Sequence, residues 1–400
     1  MEWYVSEAKN GESTLHLNNV AIYSKYRPFD DAMRWILAEV DDSATHYLLI
    51  GLGLGYHLRA LAECVGMKPI TVYYFNELEY ELFQQYNTNW WQQVNIRIVS
   101  HLEDVLNNKS LQLLVPNVWI KAIGSSHPLH NLLEIIRLKQ VSYKRAASIM
   151  GENIRANILL GDPSFQMQMQ KQERIACLVA AGPSLNDTIN WLKQVQQKVD
   201  IYAVGAALKV LDLNGILPKA VVHADSSPKT IRQFEQTKFN GEFYYLSTAS
   251  SLAVVRHKGP RFILMQQGYD LAEKYAEEKL MPLLKTGGSV GTVTFSLIEA
   301  LGYDTVILFG QDLGYSGNET HAKQAPSNNV MNKGRLFKKI IANDGSEINT
   351  GTGLFSFLNW YNAHCQQTNM RVFNTAVKGA KIKNVPLIDE QQFYDLINQL

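Results

Sequence analysis

YLLIGLGLGYHLRAL, residues 47–61, sets the fold class. An apolar run ends in Gly51, Gly53 and Gly55 at alternate positions, and helical periodicity follows. A continuous apolar run of this length predicts a strand buried on both faces, and the glycines predict a tight turn into a helix. ITVYYFN and VNIRIVS are further strands, with ELEYELFQQY a helix between them. Alternation of this kind predicts a parallel sheet with crossover helices. The pattern restarts at Ile175 with the strands IACLVAA, DIYAVGA, KAVVHAD, EFYYLST and RFILMQ, then DTVILFGQD after a helix. The expected architecture is therefore α/β, with two Rossmann-like parallel-sheet units in series.

The flanking stretches fill in the organisation. Residues 1–30 read as a β-hairpin region, in which WYVSEA and TLHLNN flank an Asn10-Gly11 turn signal. Residues 31–129 form the first α/β domain, and 130–173 a helical connector that Asp162-Pro163-Ser164 breaks and a polar QMQMQKQER run follows. The second α/β domain spans 174–345, and 346–400 is a C-terminal helical and extended segment.

Composition excludes several classes. A net charge of +1 without a long run of one sign forecasts no nucleic-acid-binding surface and no polybasic membrane patch. No apolar segment approaches the ~20 residues of a membrane span. The N-terminus, MEWYVSEAKNGESTL, has no basic start followed by an apolar stretch, so no secretion signal is expected and the location is expected to be cytoplasmic. Cys64, Cys177 and Cys365 are far apart and odd in number, which fits a reducing compartment and gives no metal-ligand spacing.

Four stretches carry candidate chemistry. The first glycine cluster resembles the opening motif of Rossmann-fold methyltransferases, which an acid at the tip of the next strand would support. Here the tip reads Asn76-Glu77, with the acid one place late, so a scaffold turn that binds nothing competes with a ligand site. CLVAAGPSLND, residues 177–187, is a strand, a turn at Gly182-Pro183 and a helix start. Ser184 with Asp187 fits a capping box, and the turn is a candidate phosphate seat. TGGSVGTVTFSLIEALG, residues 286–302, places Gly287, Gly288, Ser289 and Gly291 before an apolar helix, a second candidate anion seat. Two such loops in one unit point to a ligand with two anionic groups. VVHADSSPKT ends in Asp225, with His223 on the same strand face, and ILFGQDLGYSGNETHAK ends in Gln311 and Asp312 before a loop with Tyr315 and His321. Each of these acids also fits a cap, and His321 also fits a solvated loop.

The second unit is similar to the central domain of the motility-associated factor (Maf) family of flagellin glycosyltransferases. The matching pieces are AAGPSL, VGAALKVLDLNGILPKAVVHADSSP, TGGSVGTVTFSLIEALGYDTVILFGQDLGYSGNETHA and, more weakly, RVFNTAVKGAKI; IGLGLGYHL looks like that family's N-terminal domain. The chain departs from the family where it reads Asp225-Ser226-Ser227-Pro228 for Asp-Pro-Ser-Pro, and Thr375-Ala376-Val377-Lys378-Gly379 for an acidic Glu-Gly-Gly element. The family is related in fold to bacterial sialyltransferases. The resemblance therefore implies transfer of a nonulosonic acid, of the pseudaminic or legionaminic type, from a CMP-linked donor to Ser or Thr of flagellin, in support of motility.

A donor of that kind carries a phosphodiester and a carboxylate. The two glycine-rich helix starts, with Gly182, Pro183, Ser184, Gly287, Gly288 and Ser289, are expected to hold both. Asp225 is expected to bind ribose or sugar hydroxyls, Gln311 to line the donor site, and Tyr315 to bond the leaving phosphate. His321 is the expected base, with Asp312 orienting or replacing it. No cofactor beyond the CMP-linked co-substrate is called for, and the residues are silent on a divalent metal. Two rival enzyme readings remain: a hydroxymethyl-dihydropterin pyrophosphokinase-like enzyme using ATP and magnesium, and a methyltransferase built on the first glycine cluster. The chemistry is expected between residues 177 and 325.

Overall fold

The computed structural model describes residues 1–93, 95–101, 111–167, 172–329 and 337–399. The polar stretch at 168–171 of the expected connector lies outside these residues. The chain forms two compact units, Met1–Gln140 and Val141–Leu400.

The first unit opens with an antiparallel sheet of β1 (Trp3–Glu7), β2 (Ser13–Leu17) and β3 (Val20–Ala21). Asn18 and Asn19 join the last two strands with φ of 46° and 63°, the left-handed pair that a two-residue hairpin turn requires. Helix α1 (Pro28–Glu39) carries Pro28 at its first turn, where the missing N–H has no cost. Then follow β4 (His46–Ile50), α2 (Tyr56–Val65), β5 (Ile70–Tyr73), α3 (Glu77–Tyr86), β6 (Ile96–Val99), β7 (Leu111–Leu114) and α4 (Asn117–Ile123). The parallel sheet has the order β6-β5-β4-β7. Leu48, Ile50, Leu58 and Val72 are fully buried around it. Helix α5 (His130–Leu159) follows.

The second unit comprises β8 (Ala176–Val179), α6 (Leu185–Val195), β9 (Asp200–Val204), α7 (Gly205–Leu213), β10 (Ala220–His223), β11 (Glu242–Leu246), α8 (Ser251–Arg256), β12 (Arg261–Gln266) and α9 (Asp270–Lys279). After these come β13 (Leu283–Leu284), α10 (Val290–Ala300), β14 (Thr305–Phe309), β15 (Lys338–Ile341), β16 (Glu347–Thr350), α11 (Thr352–His364), β17 (Arg371–Asn374) and α12 (Glu390–Asn398). One parallel sheet runs β13-β12-β11-β10-β9-β8-β14-β17. The chain walks outward from β8 to β13, then α10 returns beneath β8, β9 and β10 and delivers β14 to the other side of β8. α10 is buried from Gly291 to Ile298, and its largely apolar sequence, in which Thr292, Thr294 and Ser296 bond backbone carbonyls, is that of a core helix. β17 pairs with β14, so the 346–400 stretch contributes to this sheet and not only to a terminal appendage.

The part of α5 in the second unit is fastened to the strand ends by two asparagines one helical turn apart. Asn153 Nδ2 donates to Ser226 O at 3.0 Å and Thr248 O at 3.2 Å; Asn157 Nδ2 donates to Ser247 O at 2.9 Å and Ala249 O at 2.8 Å. Asn157 is fully buried. Asn157→Ala removes the donor shared by two buried carbonyls and should cost about 1–3 kcal/mol. Denaturant unfolding measures this, and an unchanged midpoint would contradict the assigned role.

Candidate functional site

In the first unit the glycine turn is already occupied by the chain itself. The amides of Leu52 and Gly53 donate to Glu79 Oε1 at 2.8 and 2.7 Å, and the Phe75 amide donates to Oε2 at 2.6 Å. Gly51 has φ +90°, and a Cβ there would fall on the Trp119 ring. The amide nest that in other proteins receives a ligand oxygen here receives a carboxylate from α3. Glu77, the acid at the strand tip, instead accepts a bond from the Tyr74 hydroxyl at 3.0 Å. Glu79 was legible only as a helix residue: it shares the buried face of α3 with Phe83, one turn on. Burial pushes its carboxyl up to about 7, against the pull of the three amides.

The second glycine turn lies at the strand reversal between β8 and β14, where open α/β sheets form their crevice. It too is filled from within. Ser184 Oγ donates to Asp312 Oδ2 at 2.8 Å, and the Ser184 amide points to both carboxylate oxygens at 3.3 Å. Gly182 N donates to Gly310 O at 2.8 Å, and a Cβ at Gly182 would collide with the Asp312 carboxylate. The expected capping box is not formed: Ser184 makes no side-chain cap, because its hydroxyl is turned to Asp312. Pro183 accepts the Asn186 amide in the same turn, at 3.0 Å. The turn read as a phosphate seat is thus the seat of Asp312, whose carboxyl is pushed up to about 6 by burial. Gln311 lies beside the first turn of α10, its Oε1 2.6 Å from where a Cβ of Gly291 would stand.

The open space is displaced from the reversal. A cavity of about 730 Å³ spreads over the C-terminal ends of β10, β11 and β12 and the start of α10. Its size is within the roughly 300–1,000 Å³ of ligand sites. Four of the expected site residues, Asp225, Gly288, Ser289 and His321, line it together. Ser289 caps α10: its Oγ accepts the Thr292 amide at 3.2 Å, while Thr292 Oγ1 accepts the amides of Gly287 at 3.0 Å and Ser289 at 3.2 Å. Gly287 is therefore buried beneath the cap, against the Trp360 ring. The amides of Gly288 and Val290 have no protein partner among the described residues, and both residues line the cavity. A helix start in this state attracts anionic groups.

His321 is held by its own loop. Its Nδ1 lies 3.1 Å from Thr320 Oγ1, and its amide donates to Asn328 Oδ1 at 3.2 Å. The next residue, Ala322, donates its amide to Ala181 O at 2.8 Å, which rests the loop on the β8–α6 turn. Burial lowers the imidazole pKa below 6.5, against a bond to the Ser327 backbone. Asp312 does not orient this ring, since its carboxylate is spent on Ser184. Tyr315 does not line this cavity: its backbone pairs with Asn349 and its ring packs edge-on against Phe337 at 5.7 Å. His223, expected to share a face with Asp225, is enclosed by Phe234 and Phe243, and its pKa is pushed down to about 4 by burial. Asp225 is exposed and accepts the Ser227 amide at 2.8 Å.

Sequence reasoning missed Thr248, Gln266, Tyr269 and, from α5, Tyr143, all in the cavity wall. Gln266 ends β12, and Thr248 and Tyr269 follow β11 and β12, so the rule that strand ends share a crevice could have found them; nothing in the local sequence marks Tyr143.

Glu79→Gln in the first nest should destabilise the fold by about 1–3 kcal/mol, because an NH₂ would meet one of three amide donors. The folded carboxyl titrates above its ordinary 4.5, so the folded chain retains a proton that the unfolded chain has lost. Its contribution to stability accordingly falls as pH rises from 4.5 to about 7, and Glu79→Gln removes that slope. Denaturant melts at several pH values test both; identical slopes in the two proteins would refute the second.

Comparison with known proteins agrees with this architecture. Residues 151–318 match the family described as 6-hydroxymethylpterin diphosphokinase MptE-like. No curated protein matches the chain. Among solved structures, the Maf glycosyltransferase from Magnetospirillum magneticum AMB-1 is similar, with a TM-score of 0.54 and 16% identity, over 98% of this chain and 71% of that one. No helix among the described residues is long and apolar enough to cross a membrane. The chain thus has the fold of a Maf glycosyltransferase over nearly its whole length, with an MptE-like stretch at its centre.

Proposed function

We propose that the protein is a glycosyltransferase that moves a nonulosonic acid, of the pseudaminic or legionaminic type, from a CMP-linked donor to Ser or Thr hydroxyls of flagellin. The observation that carries this reading is one cavity lined both by a helix start whose Gly288 and Val290 amides have no protein partner among the described residues, and by the half-buried imidazole of His321. The likeness in fold to a Maf glycosyltransferase supports it.

The chemistry follows from the charges. The bond between the sugar's anomeric carbon and the CMP phosphate breaks, and a new bond forms from that carbon to the acceptor oxygen. Negative charge gathers on the departing phosphate, where the amides at the start of α10 stabilise it without reorganisation. No Lys or Arg lines the cavity among the described residues, so backbone dipoles take the role that cationic side chains fill elsewhere. Positive charge gathers on the sugar ring, and Asp225 binds its hydroxyls or those of the ribose. The acceptor proton passes to His321, which is neutral above its lowered pKa and hence competent as a base. Asp312 acts as a positioning residue: it fixes the turn on which the His321 loop rests.

The MptE-like match favours a second reading, diphosphate transfer from ATP to a hydroxymethyl pterin. Such a reaction handles ATP with magnesium, which binds through carboxylate and phosphate oxygens; a single carboxylate, Asp225, lines this cavity among the described residues. Methyl transfer at the first glycine cluster finds its amides already bonded to Glu79.

Mass spectrometry of flagellin co-expressed with the protein and a donor-synthesis system should show nonulosonic acid added. His321→Ala should lower transfer about 100-fold or more while leaving CMP binding within a few-fold. In the wild type, the acid limb of kcat/KM should lie below pH 6.5. Thermal stabilisation by ATP with magnesium but not by CMP would transfer the case to the pterin reading.

A further inference from the structure

The cavity has an aromatic wall that the proposed chemistry does not use. Tyr143, from α5, and Tyr269, which follows β12, both line it, and their rings meet edge-to-face with centroids 6.3 Å apart and planes at 64°. Their exposures differ sharply. Tyr269 is 6% exposed and anchors the pair; Tyr143 is 53% exposed and offers its ring to an incoming group. Beside them lie three neutral polar side chains. Gln266 is buried and bonded at both ends of its amide: its Oε1 accepts from Ser247 Oγ at 3.0 Å and its Nε2 donates to Thr248 Oγ1 at 3.0 Å. That second bond uses Thr248 as an acceptor and leaves its hydroxyl hydrogen to donate; Thr248 is 3% exposed and lines the cavity. Gln267, the next cavity residue, is exposed.

A flat aromatic face next to a buried hydroxyl donor and a free amide suits a planar heteroaromatic ring with hydrogen-bonding edges. The same cavity contains a carboxylate for ribose hydroxyls and a helix start for phosphate. Base, ribose and phosphate each find their complement in one space. We infer that Tyr143, backed by Tyr269, is the platform on which the base of a nucleotide donor stacks, with Thr248 and Gln267 at the base's polar edge. The inference rests on the proposed reading only in so far as the donor is a nucleotide; the identity of the base is a separate matter.

The test is equilibrium binding of CMP, ATP with magnesium, and ribose 5-phosphate to the full chain and to Tyr143→Ala and Tyr143→Phe. Tyr143 is half exposed, so neither variant should unfold. Stacking on an aromatic ring is lost in Tyr143→Ala and kept in Tyr143→Phe, so the former should bind CMP about 5- to 100-fold more weakly and the latter within about 2-fold. Ribose 5-phosphate, which has no base, should bind all three proteins alike. If ATP binds in place of CMP and shows the same dependence on the ring, the platform stands and the CMP donor falls. If Tyr143→Ala leaves nucleotide affinity unchanged, weakens ribose 5-phosphate equally, or if no nucleotide binds the wild type, the platform is refuted.

Discussion

The carboxylate of Asp312 holds together the parts of the second unit on which everything else depends. It lies where the strand order reverses, at the start of α6, and takes both the amide and the hydroxyl of Ser184. Keeping it there is not free. Burial lifts its pKa from 3.8 to about 6, so the ionised form is disfavoured in the fold by roughly 3 kcal/mol relative to water. That cost is what remains after the two bonds from Ser184 have pulled the other way, so this carboxylate specifies geometry more than it adds stability. Its backbone extends the same function: Asp312 O accepts the Ala380 amide at 2.7 Å, which ties the C-terminal stretch to the strand end. The Thr375–Gly379 segment, where the chain departs from the family it resembles, is thereby part of the scaffold under the reversal.

The first unit uses the same device with a different acid. Both units turn from strand to helix through glycines, and in both a carboxylate from elsewhere in the unit occupies the exposed amides. In each case glycine is required because the space of a side chain is already taken, by the Trp119 ring over Gly51 and by Asp312 over Gly182. A glycine-rich turn therefore does not by itself announce a ligand. The amide dipoles there demand a partner, and an internal acid meets that demand as well as a phosphate does.

This explains what was legible in the sequence and what was not. The strands were legible because parallel sheets buried on both faces need continuous apolar runs, as in ACLV, DIYAV and TVILF. The exceptions included β7, the antiparallel pair β15 and β16, the two-residue β13, too short to have a period, and β17, whose RVFN reads as an isolated extended piece until β14 is beside it. The candidate residues were legible by type but not by destination. Asp312, Ser184 and His321 were all singled out, yet Asp312 bonds Ser184 across 128 positions and the His321 ring bonds its neighbour Thr320. Glu79 stayed hidden because its role depends on which face of α3 turns inward. Tyr143 stayed hidden because its partners come from distant strand ends.

Filling the crevice at the strand reversal has a consequence for where binding can occur. With Asp312 in place, a cavity lies along the sheet at the ends of β10, β11 and β12, and among the described residues the glycine-rich helix start that lines it is that of α10. There the capping box of Ser289 and Thr292 settles some of the amides and leaves those of Gly288 and Val290 open. No Lys or Arg lines this cavity among the described residues, so an anionic ligand would be held by fixed dipoles. Dipoles on a buried helix cannot swing away as lysine side chains can, and the orientation they impose is that of the sheet itself. In the proposed reaction, departure of a phosphate at this helix start and removal of an acceptor proton by His321, on a loop anchored at the β8–α6 turn, would be set by one framework. Asp312, expected to orient or replace the histidine, fixes the turn on which that loop rests.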